Sequence, residues 1–217
     1  MIIEKHIKTE TTARYYQLGE ASDKIKTLWF VFHGYVELAG EFITNFKEIQ
    51  NEETLIIAPE ALNKFYLRGF YGKVGATWMT TEDREKEISD YVFTINKIYN
   101  EVLKRLNAAD IKINILGFSQ GTHTAVRWLD ATEIKVENML LWSGTFPHDC
   151  NYSEKNEYWS DIKTQIILGE NDRLLSEKKI NSEFEFMNSQ KLKHQIIIYN
   201  GDHSLDLQKL NSIVNNL

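Results

Sequence analysis

Short apolar runs rich in β-branched residues alternate along this chain with longer amphipathic stretches, and that alternation limits its fold more than any other feature. The runs are Leu28–His33, Thr54–Ala58, Ile111–Leu116, Asn138–Trp142, Gln165–Leu168 and Gln195–Tyr199. Their near-continuous apolar character suits strands covered on both faces, as the strands of a mostly parallel sheet are. Each run should end in a loop that hands over to a covering helix. The longest helical pattern is Glu82–Leu106, where Ile88, Tyr91, Val92, Ile95, Ile98, Tyr99, Val102, Leu103 and Leu106 recur at steps of three and four. Shorter helices are expected at Phe42–Gln50, Gln120–Leu129, Glu177–Asn188 and Leu207–Leu217, and antiparallel edge strands within Thr9–Leu18. No internal repeat or low-complexity linker interrupts the series.

The 217 residues can bury one sizeable core, so a single domain over residues 1–217 is the expectation. Only Pro59 and Pro147 are present, and glycine does most of the breaking. Gly69, Gly72 and Gly75 punctuate residues 62–78, a connection too long for a simple strand-to-helix turn and therefore a candidate substrate-contacting loop.

One pentapeptide carries the chemistry. Gly117-Phe118-Ser119-Gln120-Gly121 fits G-x-S-x-G, and it lies where a strand-like run gives way to a helix-like one. The flanking glycines make sense there, because a side chain at either position would collide with neighbouring backbone on a tight, strained turn. A glycine-rich turn with an incidental serine is the bland alternative for the pentapeptide alone. A serine hydroxyl is a poor nucleophile at neutral pH, so Ser119 calls for a histidine base and a carboxylate that fixes the imidazole tautomer. Asp172, in Gly169-Glu170-Asn171-Asp172, and His203, in Gly201-Asp202-His203-Ser204, each follow a strand candidate. That is where open α/β sheets bind ligands. Glu170 and Asp202 are the rival acids, and a turn residue or a surface histidine is the structural alternative for each partner.

The order Ser…Asp…His is that of α/β-hydrolases. An oxyanion hole in such a site takes one backbone donor from the residue after the nucleophile, here Gln120, and one from the loop after an earlier strand. His33-Gly34-Tyr35 is that loop, with Tyr35 N–H as the second donor. His33 precedes the serine and is expected to make structural hydrogen bonds under the loop rather than act as the base.

On Phe32-His33-Gly34, Gly117-Phe118-Ser119-Gln120-Gly121, Trp142-Ser143-Gly144, Gly169-Glu170-Asn171-Asp172 and Gly201-Asp202-His203, the chain resembles the phospholipase/carboxylesterase branch of α/β-hydrolases. That branch includes acyl-protein thioesterase-like and bacterial carboxylesterase-like enzymes. The resemblance spans most of the chain, and Gly-Phe-Ser-Gln-Gly is its most specific part. It implies ester or thioester hydrolysis without a cofactor or metal, Ser119, Asp172 and His203 as the triad, and Tyr35 and Gln120 as oxyanion donors. Two departures mark a divergent member. Tyr35-Val36-Glu37 stands where the family commonly has another glycine after His-Gly, and Asp172-Arg173-Leu174-Leu175-Ser176 lacks the proline often found after the acid motif.

Aromatics in the expected loops and strand ends, Tyr35, Phe65, Tyr66, Phe70, Tyr71, Trp78, Trp142 and Phe146, suggest an aromatic-walled pocket. Tyr71, Trp78 and Trp142 are the expected substrate contacts. Glu82–Glu87 reads as a solvated helix start. His148-Asp149-Cys150 lacks a four-ligand pattern and reads as a loop. His123, one turn beyond the serine, reads as a packed or hydrogen-bonded residue, and no phosphate-cradling glycine loop is visible.

The remaining expectations concern partners and place. A net charge of -6 with no basic cluster argues against nucleic acid, and the partner that the resemblance implies is a small-molecule ester or thioester. The lone Cys150 permits no intrachain disulfide, which suits a reducing compartment, and cytoplasm is the expected location. Met1-Ile2-Ile3-Glu4-Lys5-His6 does not read as a secretory leader, and no apolar run reaches the roughly 18 residues of a membrane span. Oligomeric state stays open, a homodimer included. The rival functional readings are a non-catalytic binding protein on the same fold and a peptidase or acyltransferase using the same triad.

Overall fold

The computed structural model describes residues 1–106 and 110–217. Its centre is a seven-stranded sheet in the order β1-β3-β2-β6-β7-β8-β9. The strands are β1 (Tyr15–Leu18), β2 (Thr27–Phe32), β3 (Thr54–Pro59), β6 (Lys112–Phe118), β7 (Asn138–Trp142), β8 (Lys163–Gly169) and β9 (Gln195–Tyr199). Only β1 is antiparallel, to β3; every other neighbouring pair in this sheet is parallel. The helices are α1 (Ala39–Phe42), α2 (Arg84–Leu103), α3 (Gln120–Thr132), α4 (Asn156–Asp161), α5 (Glu177–Ser189) and α6 (Leu207–Val214). The mostly parallel sheet with covering helices expected from the alternation is the one observed.

The alternating faces of each strand divide the core. Leu28, Phe30 and Phe32 of β2, Ile113 and Ile115 of β6 and Met139 and Leu141 of β7 pack under α2 and α3 with Tyr91, Ile95, Val126 and Trp128. Trp29, Val31, Leu116, Leu140 and Trp142 face the other way, onto Phe42, Phe46, Leu210 and Ile213. Burial on both faces is therefore real for the central strands, and it is the physical reason that they read as continuous apolar runs.

At the sheet edge the expectation needs correcting. In β9, Ile196 and Ile198 are exposed, because β9 pairs only with β8 and one of its faces lies open. The helix expected at Phe42–Gln50 is instead α1 followed by a 3₁₀ turn over Ile43–Phe46. Its apolar spacing is nonetheless used, since Phe42, Ile43, Phe46 and Ile49 are all buried. Residues 62–78 are not a plain loop but an antiparallel hairpin of β4 (Asn63–Tyr66) and β5 (Val74–Thr77). α2 starts two residues later than expected, after Asp83 in the left-handed region. Among the described residues, no helix is long and apolar enough to cross a membrane.

Candidate active site

The chain from β2 moves one way along the sheet, to β3, while β6 lies on the other side of β2. The crevice at the carboxyl ends of β2 and β6 is thus a topological switch point, the place where such sheets bind ligands. The loop His33-Gly34-Tyr35 leaves β2, and the Ser119 turn leaves β6. Residues of the loops after β8 and β9 reach the same crevice.

Ser119 has φ 52° and ψ -115°, a strained combination that a residue holds only when its surroundings fix it. Here they do. Ser119 N–H donates to Trp142 O at 2.8 Å, and Thr122 N–H and Oγ1 donate to Ser119 O at 3.1 and 2.8 Å. A Cβ at Gly121 would stand 2.2 Å from Phe32 O, and one at Gly117 would stand 2.5 Å from Gly121 O. The two glycines of the motif are therefore demanded by backbone packed against backbone. Gly144 continues this packing, since a Cβ there would lie 3.1 Å from Ser119 O and 2.3 Å from Thr122 Oγ1.

His203 Nε2 lies 2.8 Å from Ser119 Oγ, and His203 Nδ1 lies 2.7 Å from Asp172 Oδ2. A carboxylate can only accept, so Nδ1 carries the proton and Nε2 is left to accept from the serine hydroxyl. The Asp172 side chain is fully buried, and its other oxygen accepts Leu174 N–H at 2.9 Å. Of the rival acids, Glu170 is exposed, and Asp202 is exposed and accepts from Ser204 Oγ at 2.5 Å. Asn171 N–H donates to Gly201 O at 2.9 Å and Glu170 N–H to Tyr199 O at 2.9 Å, which joins the two loops that carry Asp172 and His203. The His203 ring also packs on Phe118, the residue before the serine, at 5.4 Å between centroids.

Gln120 opens α3, so its N–H is among those with no partner inside the helix. Its side chain is fully engaged: Oε1 accepts Trp78 N–H at 3.1 Å, and Nε2 donates to Met79 O at 3.0 Å. Tyr35 N–H has no acceptor among the described residues. Both amides stand at the ends of β2 and β6, which are neighbours in the sheet. His33 lies beneath them, fully buried, with Nδ1–H donated to Gly34 O at 2.8 Å and Nε2 accepting Ala61 N–H at 3.2 Å. Burial pushes it down to about 4, so it is neutral and structural.

Residues 21–211 match the family described as Serine hydrolase (FSH1). The chain belongs to the FSH1 serine hydrolase family. No curated protein matches it in sequence. Among solved structures, the fold of this FSH1 serine hydrolase is similar to that of a carboxylesterase from Mesorhizobium loti, at TM-score 0.71 and 16% identity over 94% of this chain and 95% of that one. It is similar to maize (Zea mays) acyl-protein thioesterase 2, at TM-score 0.65 and 15% identity over 94% and 97%. It is also similar to esterase PE8, at TM-score 0.67 and 18% identity over 95% and 99%.

Two expected substrate contacts of the FSH1 serine hydrolase are corrected by burial. Trp142 is completely buried, and its Nε1–H donates to Ser204 O at 3.0 Å and Tyr199 Oη at 3.1 Å. Trp78 is 2% exposed, lies against the His33 ring and donates Nε1–H to His33 O at 2.9 Å. Both are large apolar surfaces whose single donor finds a buried acceptor, so they brace the site rather than line it. Phe146, also expected in the wall, is buried among Tyr152 and Trp159. Tyr71 and Phe70 are 83% and 92% exposed at the hairpin tip, and Tyr35 stacks on Phe65 at 5.6 Å.

The segment beyond Gly144 carries a polar cluster. Thr145 Oγ1 donates to Glu183 Oε2 at 2.9 Å, and His148 Nε2 lies 3.0 Å from the same oxygen. Burial, with nearby Arg127 second, pushes His123 down to about 4. Asp149 lies between Arg127 and Arg84, which leaves the His148-Asp149-Cys150 segment a loop tied to α2 and α3. Glu87, expected to be merely solvated, accepts Thr80 N–H at 2.5 Å and Asn63 Nδ2–H, and so links α2 to the hairpin. Among the described residues, those whose ligand atoms could gather on a cation are Glu4, His6 and Asp83, all exposed. Sequence reading passed over Glu37, Thr145 and Glu183. None of them lies in a recognisable motif; the only signal was the missing glycine at Tyr35-Val36-Glu37.

Proposed function

We propose that this serine hydrolase cleaves carboxylic esters or thioesters through an acyl-enzyme on Ser119. The observation that carries this reading is the unbroken hydrogen-bonded series Asp172–His203–Ser119, with distances of 2.7 and 2.8 Å. Ser119 Oγ attacks the acyl carbonyl carbon while its proton passes to His203 Nε2. The imidazolium is stabilised by the buried Asp172 carboxylate, and Tyr35 N–H and Gln120 N–H receive the oxyanion. His203 then gives its proton to the departing alkoxide or thiolate. A water molecule, deprotonated by the same nitrogen, releases the acid and restores Ser119.

Names attached to similar folds, carboxylesterase and acyl-protein thioesterase, favour oxygen and sulfur esters over amides. The substrate path in this reading has two unlike walls. One is the aromatic ribbon Tyr35–Phe65 leading out to Tyr71, and the other is the polar set Thr145, His148 and Glu183. Tyr71 lies at the exposed tip of the hairpin, five residues before Ala76, which meets the oxyanion loop. It would touch only the far end of an extended substrate.

The test is a fluorophosphonate probe together with p-nitrophenyl esters of graded chain length and matched amides. The parent should label and hydrolyse esters. Ser119→Ala should lose labelling and about 10⁶ of turnover, the loss seen for the nucleophile of subtilisin. A folded parent that takes no label would instead favour a binding role, and faster amide than ester cleavage would favour a peptidase.

A further inference from the structure

The oxyanion loop lacks the glycine it should need. Gly34-Tyr35-Val36-Glu37 forms a turn closed by Glu37 N–H on Gly34 O at 3.4 Å, and its third residue, Val36, has φ 66°. Turns with a positive φ at that position favour glycine or asparagine. For a β-branched residue the conformation is an outlier with a cost on the order of 1–3 kcal/mol. Such a turn keeps its shape only when other contacts over-determine it.

Two kinds of contact do so. From outside, the hairpin grips the turn: Val36 N–H donates to Ala76 O at 3.0 Å and Ala76 N–H to Glu37 O at 3.3 Å. Gly75 admits this approach, since a Cβ there would stand 2.5 Å from Val36 O. From inside, the Glu37 side chain folds back so that Oε2 accepts Gly34 N–H at 2.6 Å, which closes the turn a second time. Gly34 is in turn pressed on Phe118, with a would-be Cβ 3.0 Å from both Phe118 Cδ1 and Glu37 Oε2.

The carboxylate holds this position against its own solvation. Burial pushes the Glu37 carboxyl above the usual carboxylate range, and the opposing pull of the Gly34 N–H is the smaller effect. No hydrogen bond joins Glu37 to His203, whose Nδ1 belongs to Asp172, so Glu37 is not a second acid of the triad. A half-buried carboxylate aimed at the amide one residue before the oxyanion donor has one evident effect, which is to fix that donor's direction.

We infer that Glu37 is a positioning residue whose hydrogen bond to Gly34 N–H stands in for the missing glycine, locking the strained turn so that Tyr35 N–H points into the oxyanion site. This rests on the ester-hydrolase reading above. An oxyanion donor acts in the transition state and not on bound substrate, so its misalignment lowers kcat and leaves KM alone.

Three variants separate reach from charge. Glu37→Gln keeps an oxygen at the right distance without the charge. Glu37→Asp keeps the charge and falls one methylene short, and Glu37→Ala keeps neither. With p-nitrophenyl acetate, Glu37→Ala and Glu37→Asp should lose roughly 10- to 100-fold in kcat, a fraction of the 10²–10³ lost when an oxyanion donor is removed outright. KM should stay within about twofold, and Glu37→Gln should recover kcat to within a few-fold of the parent. Rates of fluorophosphonate labelling should fall into the same order. If Glu37→Ala does not fold, the comparison of Asp with Gln decides. The inference is overturned if Glu37→Asp matches the parent, if Glu37→Gln is as slow as Glu37→Asp, or if the loss lies in KM. A parent that never labels would sink the hydrolase reading instead, so the two failures are distinguishable.

Discussion

Ser119, His203 and Asp172 are each held by something other than one another. The strained serine is pinned by Trp142 O and Thr122, the aspartate by Leu174 N–H, and the His203 loop by Trp142 Nε1 on Ser204 O. A substrate contact and a brace make opposite predictions for Trp142. Trp142→Phe removes the donor from a fully buried site, so it should cost about 1–3 kcal/mol in urea unfolding. The loosened His203 loop should lower kcat while KM for p-nitrophenyl acetate stays within about twofold. A raised KM with unchanged stability would return Trp142 to the substrate wall. At this scale the sequence disclosed the candidate triad and not its supports. G-x-S-x-G and the strand-end Asp172 and His203 are motifs, whereas the direction in which Trp78 and Trp142 point depends on which face of the sheet each one meets.

The elements that matter most are the turn between β6 and α3 and the β4–β5 hairpin. The turn is legible because it needs glycine on both sides of the serine, and close approach of backbone leaves no other solution. Gly121→Ala would put a methyl carbon 2.2 Å from Phe32 O, a contact that only a shift of β2 or α3 relieves. It should therefore abolish fluorophosphonate labelling even where circular dichroism shows the fold retained. Labelling at the parent rate would mean that the turn is looser than this packing implies. The hairpin was not legible. Asn63–Tyr66 and Val74–Thr77 have four residues each and mixed polarity, and their pairing is anchored from outside by Val36, Glu87 and Gln120. Those anchors lie far away in sequence, so no local pattern announces them.

Across the whole molecule, stability should depend on pH through the buried histidines. His33 titrates near 6.5 when unfolded and about 4 when folded, so between those values the unfolded chain binds more protons. The stability that neutral His33 confers is complete above pH 6.5 and is lost as pH falls toward 4, by on the order of 3 kcal/mol. His123, lowered in the same direction but partly exposed, should add a smaller share. Urea midpoints taken from pH 7.5 to 4 should be flat at first and then decline. His33→Asn should flatten part of that decline; an identical slope in the variant would show that other groups carry it.

The sequence by itself determined the layered α/β architecture and marked Ser119, Asp172 and His203 as the candidate triad, because burial on two faces and a glycine-bound turn leave marks in neighbouring residues. Tertiary structure alone decided that β9 is a half-exposed edge and that Trp78 and Trp142 are buried beneath the site. It alone folded Glu37 back onto Gly34. Each of these depends on which distant segments are brought within a few ångströms of one another, and that is a property of the packed sheet rather than of any stretch of the chain.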